Sequence, residues 1–184
     1  MMRMELARDW LPEVEGLPET YAQCFRCGAC SGICPVKKIR RDFDPRVIVH
    51  ATVLGLREKL FGTPILWHCS QCESCVPVCP MEVKPAEVIR ALRGYALRTG
   101  LADEETLFEA GRLARVQPGK CVACLTCVRV CPFGAPSIRE EGYAVIDPAK
   151  CHACGICVRE CPARAIELKP AAEFETMKVG VGIS

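Results

Sequence analysis

Cys121-Val-Ala-Cys-Leu-Thr-Cys-Val-Arg-Val-Cys131-Pro132 is echoed by Cys151-His-Ala-Cys-Gly-Ile-Cys-Val-Arg-Glu-Cys161-Pro162, at an offset of 30 residues. The match extends past the cysteines to Pro118/Pro148, Lys120/Lys150, Ala123/Ala153, Val128/Val158, Arg129/Arg159 and Ala135/Ala165. Upstream, Cys24, Cys27, Cys30 and Cys34 precede Pro35, and Cys69, Cys72, Cys75 and Cys79 precede Pro80, now at an offset of 45. All sixteen cysteines fall into four groups of one spacing, C-x2-C-x2-C-x3-C-P, with none left over.

This pattern selects iron and sulfide. A cubane 4Fe–4S cluster presents four irons at tetrahedral corners, each needing one thiolate. Two C-x2-C steps wrap three ligands around one cube. The fourth Cys, before proline, lies too far along the emerging chain to close the same cube, and with this run it ligates the other cluster of a pair. The expected sets are Cys24, Cys27, Cys30 with Cys79; Cys69, Cys72, Cys75 with Cys34; Cys121, Cys124, Cys127 with Cys161; and Cys151, Cys154, Cys157 with Cys131. Structural zinc takes two C-x2-C knuckles separated by a longer spacer. A third Cys three residues on, four times over, does not fit it.

Disulfides would need a secretory route, but the N-terminus carries Glu5, Asp9 and Glu13 where a signal peptide is apolar. No run approaches the roughly 18 apolar residues of a membrane span. A reducing cytoplasm is expected, where cysteines serve metals more often than bridges. The formal charge of +2 counts thiols as neutral; four loaded sites would bring it to about −6. Lys37, Lys38, Arg40, Arg41, Lys120, Arg129, Lys150 and Arg159 then compensate buried negative charge. Nucleic-acid binding is excluded, since acidic residues are interspersed and no stacking aromatics accompany them.

Around the loops the pattern predicts an α+β chain. Asp44 is a good N-cap with Pro45 at the first helical position; Val47, Ile48, Ala51, Leu54 and Leu56 continue a helical run until Gly62-Thr-Pro64. Pro85 opens a second helix over residues 86–97, and Asp103 a third to about Leu113. Ser137–Ile146 reads as a hairpin around Glu141-Gly142, and Arg164–Leu168 as another small strand. An all-helical two-cluster domain over 21–111 is expected to precede a small two-cluster domain over 112–170, with tails at 1–20 and 171–184 that either dock or stay disordered.

Residues 112–170 resemble a bacterial-type two-cluster ferredoxin. Residues 20–100 are similar to the helical ferredoxin domain of HdrC, a component of heterodisulfide reductase. That second resemblance rests on Cys24–Pro35, Asp44-Pro-Arg-Val-Ile48, Trp67–Pro80 and Val83–Arg93, in that order. It implies an electron-transfer subunit of a multi-subunit oxidoreductase. One implied partner is an HdrA-like flavoprotein; the other is an HdrB-like protein with CCG modules, or another reductase subunit. This chain has no CCG module, and the appended ferredoxin departs from the HdrC pattern. A free polyferredoxin carrier is the alternative. No catalytic residue is expected. His68 and His152, beside ligand cysteines, read as neighbours of the sites; His50 is a helix-face residue; Trp67 either shields a cluster or simply packs. Gly180-Val-Gly182 lacks the βαβ unit of a dinucleotide loop.

Overall fold

Short helices carry the chain as far as Leu101. The structure, a computed structural model, describes residues 8–170. Two one-turn helices, α1 (Ala29–Ile33) and α2 (Pro35–Ile39), flank Cys34. Helix α3 (Pro45–Val53) starts where the sequence predicts: the Asp44 carboxylate accepts from the Arg46 N–H at 2.9 Å, and Pro45 opens the first turn. It stops sooner than the apolar spacing suggests. Gly55 turns left-handed at φ 68°, and the Leu56 and Gly55 N–H groups close back on the Ala51 and Thr52 carbonyls. That is a Schellman cap, and α4 (Arg57–Phe61) is a separate helix. Helix α5 (Pro85–Arg98) runs as expected to Gly100.

Phe43, Ile48, Val49, Leu60, Leu66, Val88, Ile89 and Leu92 form the core between α3 and α5. Trp10 and Leu11, read from sequence as part of a tail, belong to it. The Trp10 ring meets Phe61 and Tyr95, each at 5.5 Å, and its Nε1 donates to the Gly55 carbonyl. Phe174, Met177, Val179, Val181 and Gly180-Val-Gly182 lie outside the described residues.

Contacts divide the chain between Leu101 and Ala102, so the helix begun by Asp103 groups with the second unit and not the first. This helix, α6 (Glu104–Glu109), ends short of Leu113 because Gly111 makes another Schellman cap at φ 66°. Its Phe108 ring lies 4.0 Å from the Arg115 guanidinium. Strand β1 (Arg115–Val116) leads into the third cysteine loop and α7 (Thr126–Val130). The expected hairpin is β2 (Pro136–Ile138) against β3 (Ala144–Ile146), antiparallel with Ser137 opposite Val145. Helix α8 (Ile156–Arg159) follows the fourth loop, and β4 (Ile166–Glu167) returns to pair with β1. The repeat is also visible in hydrogen bonds: Asp147 N–H donates to the Ala135 carbonyl and Gln117 N–H to that of Ala165. Each half thus closes on the other. Among the described residues no helix is long and apolar enough to cross a membrane.

Candidate metal centres

Each cysteine loop has the same backbone. Two and four places after its first Cys, φ is positive: Arg26 and Gly28, Gln71 and Glu73, Ala123 and Leu125, Ala153 and Gly155. Left-handed backbone costs a residue with a side chain roughly 1–2 kcal/mol. Six non-glycine residues accept that cost here, a concentration of strain that marks functional loops. The turns aim backbone N–H groups at sulfur. Gln71 N–H donates to Cys69 Sγ and Ala153 N–H to Cys151 Sγ, both at 3.4 Å. The last cysteines of the second and fourth groups accept in the same way, Cys79 from Val83 N–H at 3.4 Å and Cys161 from Ala165 N–H at 3.3 Å. Cys121 Sγ accepts from Ala144 N–H of β3 at 3.4 Å.

Two hollows are lined by thiols. Cys24, Cys27, Cys30 and Cys79 surround one, walled by Val49 and Val83. Cys121, Cys124, Cys127 and Cys161 surround the other, walled by Ala144 and Ile166. In each, three cysteines come from one group and the fourth from its partner group. Elsewhere, Cys69 feels the like charges of Cys34 and Cys72, and Cys151 those of Cys154 and Cys131. Thiols lining a hollow and an all-thiolate donor set fit 4Fe–4S clusters.

Burial dominates the thiol electrostatics. It pushes Cys75 from an ordinary 9.0 to about 12, helped by the like charge of Cys69, and Cys30 and Cys157 to about 11. Cys124, beside the Thr126 hydroxyl at 3.4 Å, is held below its ordinary value. A buried acid with a raised folded pKa stabilises the fold below its unfolded pKa, and that contribution is lost as pH climbs through the folded one. The metal-free chain is therefore expected to lose a few kcal/mol of stability between about pH 8.5 and 12. Denaturant titration at stepped pH measures this. The loaded chain, whose thiols have already released their protons, should lack the decline; a flat profile without metal would contradict the assignment of buried neutral thiols.

The histidines are engaged by their surroundings. His68 Nδ1 lies 3.5 Å from the Asp42 carboxylate, and the His152 ring stacks on Phe133 at 3.5 Å. His50 is half-exposed on α3. Trp67 is buried, with its ring 6.0 Å from the Arg93 guanidinium. Two polar residues beside the second loop escape sequence reasoning: Gln71 is 3% exposed and Arg93 1%. Only the helical spacing of Arg93 from Ile89 and Ala96 marks it as facing inward.

Three family models, each described as a 4Fe–4S dicluster domain, match residues 20–83, 120–166 and 68–135. The third takes the second cysteine group with the third, whereas the thiol-lined hollows join first with second and third with fourth. A heterodisulfide reductase HdrC-like protein of Archaeoglobus profundus is 37% identical over 75 residues, covering 41% of this chain and 40% of the relative. The HdrC component of the H(2):CoB-CoM heterodisulfide,ferredoxin reductase of Methanothermobacter thermautotrophicus is 36% identical over 77 residues, covering 42% and 41%. The polyferredoxin protein MvhB of Methanothermus fervidus is 28% identical over 121 residues, covering 66% of this chain and 22% of the relative. The chain spans about two-fifths of the length of the HdrC relatives it matches. With its cysteine loops and these matches, the chain carries 4Fe–4S dicluster domains, is similar to HdrC-like ferredoxin proteins, and is an iron–sulfur protein of electron transport.

Proposed function

We propose that this chain is an electron-transfer subunit with four 4Fe–4S clusters, arranged as two cross-ligated pairs in a helical domain and a bacterial ferredoxin-like domain. The observation that carries the reading is the composition of the two thiol-lined hollows, each drawing its fourth cysteine from the partner group. The ligand sets are Cys24, Cys27, Cys30, Cys79; Cys69, Cys72, Cys75, Cys34; Cys121, Cys124, Cys127, Cys161; and Cys151, Cys154, Cys157, Cys131. Each bound cluster supplies one-electron chemistry. The protein supplies the thiolates, the N–H groups that steady them, and a shape that keeps paired sites near each other. Like-charge coupling of Cys30 with Cys75, and of Cys127 with Cys157, supports that closeness.

The chain acts in the cytoplasm, within a heterodisulfide-reductase-like complex. Its neighbours there are an HdrA-like flavoprotein and an HdrB-like CCG-module protein or other reductase subunit. It has no substrate site of its own. The HdrC relatives favour this reading. The match to a polyferredoxin over a longer stretch of this chain favours a second, a free carrier that shuttles electrons between enzymes. Affinity purification of the tagged chain from its native cells separates them. A stoichiometric flavoprotein complex supports the subunit; recovery only as a monomer that exchanges electrons with several unrelated reductases overturns it in favour of the carrier.

A further inference from the structure

The second cysteine loop differs from the first in what faces its leading thiol. Cys69 Sγ accepts from Gln71 twice, from the backbone N–H at 3.4 Å and from the side-chain Nε2 at 3.6 Å. The amide is buried and clamped: its Oε1 accepts from Arg90 Nε at 3.2 Å, which leaves the N–H₂ end for the sulfur. Arg90 is fixed in turn on Glu73, inside the same loop. From the other side, Arg93 donates through Nε and Nη2 to the Leu66 carbonyl at 3.0 and 2.8 Å, and through Nη2 to the Cys69 carbonyl at 2.7 Å. The ligand's sulfur and its own carbonyl are therefore both held by donors from buried side chains. At the position equivalent to Gln71 in the first loop stands Arg26, which is exposed.

A donor aimed at a ligating thiolate stabilises the more negative, reduced site, because it draws charge away from the sulfur. Burial strengthens that contact, since little water competes for either partner. We propose that Gln71, positioned by Arg90, raises the reduction potential of the site formed by Cys69, Cys72, Cys75 and Cys34 above that of the other site in its domain. An electron entering the pair then rests beside Gln71. This rests on the ligand sets proposed above. In the test dithionite would supply one electron to a cluster held by these residues, with no bond broken and no proton moved.

The test is an EPR-monitored redox titration of the loaded full chain, with iron and sulfide counted for each variant. Gln71→Leu keeps the backbone donor and removes the side-chain one. It should leave iron and sulfide unchanged and lower one midpoint by about 59 mV, a tenfold change in that site's reduction equilibrium. Arg90→Met, which frees the amide without deleting it, should shift the same midpoint downward by less. Full iron with every midpoint unmoved in both variants overturns the role of Gln71 and leaves the ligand sets standing. Retention of every cluster in Cys69→Ala, whose side chain carries no donor atom, overturns the ligand sets, and this proposal with them.

Discussion

Replacing Cys131 by alanine is expected to damage the cluster held by the following cysteine group and to spare that of its own. Cys131 lies in the field of Cys151 and Cys157, whereas Cys121, Cys124 and Cys127 share their hollow with Cys161. Cys131→Ala leaves the site of Cys151, Cys154 and Cys157 one thiolate short. The chain should lose between one and four of about 16 irons. Its EPR spectrum should match that of Cys154→Ala and differ from that of Cys124→Ala. The reverse match would mean that each group closes its own cube.

Gly111→Ala should cost the second unit about 3 kcal/mol of stability, the sum of left-handed strain and a forced repacking. A Cβ at this position would stand 2.6 Å from both the Lys169 and Pro170 carbonyl oxygens. Backbone atoms cannot swing aside as a flexible side chain would. Gly134 supplies the control, for it shares the positive φ but has no neighbour within 4 Å of a Cβ. Gly134→Ala should therefore cost only about 1 kcal/mol. Urea unfolding of the loaded chain, followed by cluster absorbance, compares the two; equal losses would show that Lys169 and Pro170 do not pack against Gly111 as described.

The cysteine loops were legible in the sequence because cluster chemistry demands one residue type at fixed intervals. Asp44-Pro45 and Pro85 marked helix starts for an equally local reason. What stayed hidden depends on partners distant along the chain. Strand β1, two residues long, is defined only by pairing with Ile166 and Glu167. Trp10 looked like part of a tail until Phe61 and Tyr95 closed around it. The glycine caps at Gly55 and Gly111 cut helices that apolar spacing extended, since spacing reports a face and not an end. Glu73 and Leu125 disguise their left-handed backbone, which Gly28 and Gly155 only hint at in the sister loops. Gln71 and Arg93 are polar types usually found outside, and only the structure places them beside Cys69.

Crystals of the loaded chain, with anomalous density recorded at the iron edge, test the central claim most directly. Four cubane peaks are predicted, each bound by three cysteines of one group and the fourth of its partner group: Cys79, Cys34, Cys161 and Cys131 in the crossing positions. A cube ligated by its own four consecutive cysteines, or single zinc ions without sulfide, would contradict it.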